Sequence, residues 1–277
     1  MQIAALSGGR ALVVLTPLTT DEVQEIDLTN MTAQVRTDVP IDPSSFPVTP
    51  STIAASADGS VALLGGSGPQ ATEVWKYDTA SDTFSAPKLV PSTAGDDVAV
   101  NGDGTVLAVG SLTLDQNLVP LVPYTSKVGL LTGSGALNYT PDPIIYVSDT
   151  HNGRLQLTVG TPDPLFNKLA LAIGPDGRKV LECDGTSLHY YELAVVPLAV
   201  ATVSPAAAPP GASLTVRGDG FVTGTTAKIG GQSASCTMMD AHTLQCAVPN
   251  VNTGLQPMTL TNPDGQTYSL EASVNVQ

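Results

Sequence analysis

The fold is decided by a short stretch, residues 55–65, which reads ASADGSVALLG. It predicts a strand, a tight Asp-Gly turn, a second strand and a closing glycine. The pattern returns at residues 100–110 (VNGDGTVLAVG) and 173–181 (IGPDGRKVL), and in weaker form at residues 6–14 (LSGGRALVV). Two apolar strands around a turn cannot bury their own faces. The repeat therefore predicts several small sheets, stacked or arranged around an axis.

The spacing of the turns gives the number of repeats. Gly9, Gly59, Gly104 and Gly177 are separated by 50, 45 and 73 residues, and four-stranded blades typically occupy about 40–50 residues. About five units therefore fill residues 1–195. A closed five-bladed propeller and an arc of a larger ring both remain open, because rings of about four to eight blades are usual.

The composition favours strands and opposes two kinds of partner. The 277 residues include 11 Lys and Arg against 25 Asp and Glu, a net charge of −14, together with 26 Gly and 22 Pro. Because nucleic-acid phosphates and anionic membrane surfaces attract basic proteins, we expect no nucleic-acid partner. The high Gly and Pro content and the lack of a helical apolar period predict an all-β chain.

The sequence also bears on location. No stretch reaches the roughly 18 consecutive apolar residues of a membrane span, so we expect none. Residues 2–6 already read as a strand instead of a signal peptide. We therefore expect a mature or excised piece of a longer exported precursor, found in the extracellular space or the cell envelope. A cytoplasmic protein is the alternative.

Two local resemblances point to propeller blades. Residues 63–66 (LLGG) and 74–84 (VWKYDTASDTF) resemble a kelch repeat, and residues 159–162 (VGTP) and 174–178 (GPDGR) are similar to YVTN-type repeats of bacterial surface proteins. In kelch repeats the glycine doublet lets neighbouring backbones approach, and the aromatic residues pack between adjacent blades. The resemblance implies a β-propeller over residues 1–195.

The C-terminal part has its own family signature. It resembles an IPT/TIG domain at residues 203–205 (VSP), 214–221 (LTVRGDGF), 227–231 (AKIGG), 243–249 (TLQCAVP) and 261–265 (TNPDG). This resemblance implies an immunoglobulin-like β-sandwich over residues 196–277. Paired cysteines occur in surface domains of this family, which makes Cys236 and Cys246 a candidate disulfide. Two reduced core cysteines are the alternative.

Few residues suggest chemistry. Asp58, Asp103 and Asp176 precede glycines, where aspartate is favoured by turn geometry alone. A weak calcium site at residues 96–97 (Asp96, Asp97) and 101–103 (Asn101 to Asp103) is the alternative. The three histidines are scattered along the chain, and no Gly-x-Ser-x-Gly elbow or comparable catalytic frame accompanies the serines, histidines and aspartates. We therefore predict no catalytic residue, metal ligand or cofactor.

Two aromatic residues and one cysteine have alternative interpretations. Trp75, the only tryptophan, and Tyr77 either pack between blades or form a platform on which a sugar stacks. Cys183 is expected to pack inertly in a strand.

These features together predict an interaction protein. We expect a non-catalytic protein of the cell envelope or extracellular space that binds a protein or glycan partner through propeller loops. Loops that differ between the repeats are the candidates: residues 67–72, 114–123 and 160–167. The alternative is a polysaccharide-active lyase or hydrolase, or the accessory part of one. The sequence leaves the ligand and the oligomeric state open.

Overall fold

The computed structural model describes residues 1–15, 22–39, 50–67, 72–90, 97–110, 112–123, 130–142, 144–160, 170–183 and 187–277. Within these ranges the regular structure consists of strands and turns, which confirms the predicted all-β class. No helix in the same ranges is long and apolar enough to cross a membrane. The chain forms two compact units, Met1–Leu131 and Thr132–Gln277. The domain boundary between residues 195 and 196, a division by fold type, stays a prediction.

The strands of unit 1 are β1 (Gln2–Leu6), β2 (Arg10–Leu15), β3 (Glu22–Asp27), β4 (Thr32–Val35), β5 (Thr52–Ala55), β6 (Val61–Ser67), β7 (Thr72–Asp78), β8 (Thr83–Phe84), β9 (Lys88–Val90), β10 (Val98–Val100), β11 (Val106–Val109), β12 (Leu112–Asp115), β13 (Pro120–Pro123) and β14 (Leu130–Leu131). Sheet 1 has the order β1-β2-β3-β4, and sheet 3 has the order β10-β11-β12-β13. Sheet 2 has the order β5-β6-β7-β8, and β9 also pairs with β7. Each sheet is an antiparallel meander, as the repeat predicts.

The Asp-Gly turn between β5 and β6 forms as predicted. The Asp58 carboxylate accepts the backbone N–H of Ser60 at 2.9 Å, and Gly59 has a φ of 68°. A Cβ atom on Gly59 would lie 2.3 Å from the backbone nitrogen of Ser7. Glycine is therefore required both by the backbone angle and by the close approach of the neighbouring repeat.

Strand β6 shows how the apolar runs build two cores. Ala62 and Leu64 lie in a buried cluster with side chains of sheet 1, whereas Leu63 lies in a cluster with side chains of sheet 3. Successive side chains of a strand point to opposite faces. A sheet covered on both faces therefore needs the continuous apolar run seen here.

The strands of unit 2 are β15 (Leu137–Asp142), β16 (Ile144–Asp149), β17 (Leu155–Val159), β18 (Ala170–Ile173), β19 (Lys179–Cys183), β20 (Leu188–Glu192), β21 (Ala199–Ser204), β22 (Ala207–Ala208), β23 (Ser213–Asp219), β24 (Thr226–Ile229), β25 (Gln232–Ala234), β26 (Cys236–Asp240), β27 (Thr243–Ala247), β28 (Gly254–Thr261) and β29 (Thr267–Val276). Sheet 4 contains β15-β16-β17, and sheet 5 contains β18-β19-β20. The sandwich pairs a four-stranded sheet, β21-β23-β27-β26, with a five-stranded sheet, β22-β29-β28-β24-β25.

Unit 2 has a continuous apolar core. One cluster of buried side chains includes Tyr139 and Ile145 of sheet 4, Val180 of sheet 5, and Leu214 and Leu260 of the sandwich. The sandwich therefore has no independent core, because its buried side chains belong to the same cluster as those of sheets 4 and 5.

Three sequence patterns predict local structures that differ from those observed. The apolar residues at 106–114 predict one strand, but they form β11 and β12, because Gly110 turns the chain with a φ of 54°. Pro141 predicts a break, but it lies within β15. Asn152 and Gly153 predict a two-residue hairpin turn, but the loop has four residues, since Asp149 N–H donates to the carbonyl of Arg154.

Candidate functional site

A buried carboxylate lies where the sandwich meets sheet 4. Asp219, at the end of β23, is fully buried. It accepts hydrogen bonds from the hydroxyl of Thr132 and from the hydroxyl of Ser134, the latter at 2.6 Å. It also lies 2.9 Å from Nδ1 of His242. A carboxylate removed from water is stable only when such donors replace its hydration. We call these four residues the Asp219 network.

The protonation of His242 follows from its neighbours. Its Nδ1 faces two acceptors, the Asp219 carboxylate and, at 3.2 Å, the carbonyl of Gly218. That nitrogen must therefore carry hydrogen and donate. The hydrogen bond to Asp219 raises the pKa of His242, although partial burial opposes this. The backbone of the loop is held by Asp240, whose carboxylate accepts the N–H of His242 at 2.8 Å.

Tyr268 of the sandwich lies close to Asp149 of sheet 4. The Tyr268 hydroxyl is buried and makes no hydrogen bond within geometric limits to any residue that the structure describes. Burial and, next, the nearby Asp149 carboxylate raise the pKa of Tyr268. Tyr268 therefore stays neutral and acts here as a packing residue.

Two glycines of the sandwich allow close backbone contacts, and one of these contacts is with residues 193–198, which we call the linker. A Cβ atom on Gly220, whose φ is 74°, would lie 2.5 Å from the carbonyl oxygen of Pro197. A Cβ atom on Gly218 would lie 2.1 Å from the carbonyl oxygen of Ala199. The sequence Gly-Asp-Gly is thus fixed by close backbone approach on both sides of the buried carboxylate.

A pocket of about 160 Å³ opens beside this contact. We call it the seam pocket, because a turn of sheet 5, the linker and three sandwich loops all contribute to it. Its lining is mainly apolar, and Phe221, which is nearly fully buried, lies in it. Sites for drug-sized ligands usually measure about 300–1,000 Å³, so the seam pocket suits a single side chain. It is lined by Asp176, Arg178, Ala194, Val195, Val196, Gly220, Phe221, Val222, Ala241, His242, Asp264 and Gln266.

Charges of both signs surround the seam pocket. Arg178 donates from Nε to the carbonyl of Leu193 and from Nη2 to the carbonyl of Ala194, each at 3.2 Å. On the sandwich side, a hydrogen bond from the side-chain amide of Gln266 lowers the pKa of the exposed Asp264. The rim is therefore polar and solvated, while the interior is apolar.

The candidate cysteines lie on neighbouring strands, β26 and β27. Cys236 and Cys246 are directly paired, with Cα atoms 4.0 Å apart and sulfur atoms at a bonding distance of 2.05 Å. The existence of this disulfide in the isolated protein stays a prediction. Cys183 lies in β19, is half-buried and forms no disulfide.

The structure confirms the turn interpretation of the other aspartates. Asp103 accepts the N–H of Thr105 at 3.2 Å and its hydroxyl at 2.6 Å, and Asp176 accepts the N–H of Arg178 at 3.0 Å. In the part of the chain that the structure describes, no group of three or more His, Cys, Asp or Glu is arranged to hold a metal ion. The calcium alternative at Asp96, Asp97 and Asp103 stays a prediction, and Asp96 lies outside the described residues.

The aromatic pair of sheet 2 packs between sheets. Trp75 and Tyr77 are fully buried in a cluster shared with sheet 1. The packing interpretation is therefore confirmed, and the sugar platform is wrong because neither ring reaches solvent.

An ion-pair network between sheets 1 and 2 has no signal in the sequence. The guanidinium of Arg36 donates to Glu25, to Asp82 at 2.7 Å and twice to Asp38 at 2.7 and 2.8 Å. Arg10 also donates to Glu25, at 3.2 Å. Both Arg36 and Glu25 are buried, so the network satisfies a charge pair removed from water. We call these five residues the Arg36 network.

Aromatic rings cover this network. The Arg36 guanidinium lies 5.3 Å from the ring centre of Tyr77 and 5.1 Å from that of Phe84, which is cation–π geometry. Burial, followed by the hydrogen bond to Asp82, raises the pKa of Tyr77 to about 12. Tyr77 and Phe84 of the kelch-like stretch therefore pack against a buried charge cluster.

The predicted ligand loops are described in part. Residues 68–71 and 161–169 lie outside the described ranges. In the loop at residues 114–123, Leu118 is buried while Val119 and Leu121 are exposed.

Comparison with known proteins supports the two fold types. Residues 198–275 match the family model of the IPT/TIG domain, so the C-terminal sandwich is an IPT/TIG domain. No curated protein matches the chain.

Among solved structures, the β-propeller domain of Cps50 (Swd1) from Myceliophteria thermophila is similar, with 12% identity and a TM-score of 0.51 over 67% of each chain. TolB from Acinetobacter baumannii shares 14% identity over 55% of this chain and 41% of its own, with a TM-score of 0.39. An auxiliary nutrient binding protein from Bacteroides ovatus shares 20% identity over 30% of this chain, with a TM-score of 0.26, and this chain spans 21% of its length. The similarity to the Cps50 (Swd1) domain shows that the repeated sheets have the β-propeller fold.

Proposed function

We propose that the chain is a non-catalytic interaction protein of the extracellular space or cell envelope that binds a protein partner at the seam pocket. The observation that carries this proposal is the pocket itself: an apolar interior of about 160 Å³ within a polar rim. Protein interfaces concentrate their binding energy where one large side chain fills such a pocket. A propeller turn and the sandwich loops contribute to the same site.

The exposed rim favours a protein over a glycan. Val195 and Val222 are about half exposed at the edge of the pocket, and Phe221 is too deeply buried to offer a ring face. A sugar needs hydrogen-bonding groups or an exposed aromatic face, whereas an aliphatic or aromatic side chain needs only apolar surface.

The experiment compares two lysine substitutions that change charge equally. Val222→Lys places a charged chain at the pocket rim, and Leu255→Lys places one on β28 outside the pocket; both positions are exposed in the native chain. The immobilised full chain is incubated with an envelope extract of the source cells, and retained proteins are quantified by mass spectrometry. We expect Val222→Lys to lower retention of the main partner about tenfold, the effect of losing one central contact. Equal retention by both variants would contradict the proposal.

The alternative, a polysaccharide-active enzyme or its accessory part, stays a prediction. Turnover of any member of a polysaccharide panel by the purified chain would replace the interaction proposal with an enzymatic one.

A further inference from the structure

In the part of the chain that the structure describes, no strand pairs with the outer edge of sheet 5. In unit 1 every third strand is followed by further pairing: β3 by β4, β7 by β8 and β9, and β12 by β13. In sheet 5 the third strand is β20, and among the described strands it pairs only with β19. The chain then runs through residues 193–198 into the sandwich, so the segment that follows β20 does not supply a fourth strand to the sheet.

The backbone groups on the free edge can be identified. Leu193 lies opposite Arg178, and its N–H donates to the Arg178 carbonyl at 2.8 Å. Hydrogen-bonded pairs alternate along an antiparallel ladder, so His189 and Tyr191 also point their backbone groups toward β19. The N–H and C=O groups of Leu188, Tyr190 and Glu192 therefore point to the open edge.

The same alternate residues form an exposed apolar face. Leu188 is 70% exposed and Tyr190 is 54% exposed, and Leu181, directly opposite Tyr190 on β19, is 38% exposed. The other face of the sheet is covered, since Val180 is fully buried. An uncovered edge with an apolar face is a template for strand addition.

Charge decides between two kinds of occupant. A second copy of the chain would bring a further −14 toward the −14 already present, which opposes association. A basic segment is complementary to this charge, and Glu192 lies exposed on the strand.

We propose that β20 binds an extended segment of a partner protein as a fourth strand, one in which apolar side chains alternate with basic ones. The apolar side chains lie beside Leu188 and Tyr190, and the backbone pairs with the free edge. This site is distinct from the seam pocket and does not depend on it.

The test uses a fluorescein-labelled ten-residue peptide of alternating Val and Lys, with the full chain. Two further peptides carry N-methyl groups, one on the amides of all Val residues and the other on the amides of all Lys residues. Only one set of amides faces β20 in strand pairing. We expect one methylated peptide to bind at least tenfold more weakly than the other, in fluorescence anisotropy. Equal binding by both, which charge attraction alone produces, or no binding at 1 mM would overturn the proposal.

A protein variant locates the contact. Tyr190→Pro removes an N–H that points to the open edge and leaves the bonds to β19 in place, while Tyr190→Thr keeps that N–H. We expect at least a tenfold loss of peptide binding in the proline variant relative to the threonine variant. Similar binding by the two would count against the site.

Hydrogen exchange of the unmodified chain tests the proposal independently of whether the proline variant folds. We expect saturating peptide to slow exchange at Leu188, Tyr190 and Glu192 at least tenfold, and unchanged exchange there refutes strand pairing. A wild-type dimer in sedimentation that Tyr190→Pro converts to a monomer would assign the edge to a second copy and also overturn the proposal.

Discussion

The two buried polar networks differ in the groups that replace water around a carboxylate. In unit 1, Glu25 lies between two guanidinium groups, which are charged at every pH that the protein meets. In unit 2, Asp219 is held by two neutral hydroxyls and one imidazole. The first network is a permanent ion cluster, while the second depends on a group that titrates near neutrality. We therefore expect the Arg36 network to contribute more to the free energy of unfolding, and the contribution of the Asp219 network to depend on pH.

The largest expected effect comes from breaking the permanent cluster. Arg36→Met leaves Glu25 buried with weaker compensation, and removing one partner of a buried ion pair costs about 3–5 kcal/mol of unfolding free energy. Trp75, the only tryptophan, is buried in the same unit, so its fluorescence reports the urea transition of unit 1. Lys88 of β9, a cation of the same unit outside the cluster, provides the control: Lys88→Met should change stability by less than about 0.5 kcal/mol. Similar effects of both variants would show that the cluster contributes no more than a surface charge.

A smaller effect is expected in the second network. Asp219→Asn keeps the shape but turns one acceptor atom into a donor facing hydroxyl and imidazole donors, which costs about 1–3 kcal/mol. Calorimetry of the full chain should show a lower unfolding temperature for unit 2, whose unfolding does not change the fluorescence of Trp75. Asp264→Asn, at an exposed carboxylate on the seam pocket, is the control and should leave that temperature unaltered. A shift of the Trp75 transition instead would contradict the assignment to unit 2.

The smallest effect, a pH dependence, separates the networks most sharply. Asp219 raises the pKa of His242 in the folded chain. Its stabilisation is therefore fully present below the unfolded pKa of about 6.5, and it is lost as pH rises through the higher folded pKa. The stability difference between the native chain and His242→Gln should shrink between about pH 6 and pH 8.5, as measured by urea unfolding.

Two controls accompany this measurement. Gln232→Ala, at an exposed side chain of the sandwich that does not titrate, should give a difference that does not vary in that window. The urea midpoint of the Trp75 transition should also not change between pH 6 and pH 8.5. Hydrogen bonds from Tyr77 and Arg36 lower the pKa of Asp82, and a hydrogen bond from Arg36 lowers the pKa of Asp38, so both carboxylates stay ionised in this range. A difference for His242→Gln that grows with pH would reverse the sign we assign.

Sequence was informative wherever the cause is local. The Asp58-Gly59 turn depends on neighbours within two residues, and the kelch-like stretch correctly placed Trp75 and Tyr77 between sheets. The IPT/TIG signature also located the C-terminal sandwich.

The remaining features depend on contacts that no local pattern encodes. Ser134 and Asp219 are 85 residues apart, and no sequence pattern near either residue predicts their contact. Arg36 lies in an unremarkable strand end, 46 residues from Asp82. The uncovered edge of β20 could not be foreseen either, because the number of strands in a sheet depends on which segments pair.

The close approach at Gly220 and Pro197 has a mechanical consequence. A tension applied to the IPT/TIG domain would reach the repeated sheets by two routes: the backbone of the linker leads to sheet 5, and the hydrogen bonds of Asp219 lead to Thr132 and Ser134 beside sheet 4. These two connections together oppose rotation of the IPT/TIG domain relative to sheets 4 and 5. A partner held in the seam pocket would then be presented at a fixed angle, and its orientation would survive pulling on the chain.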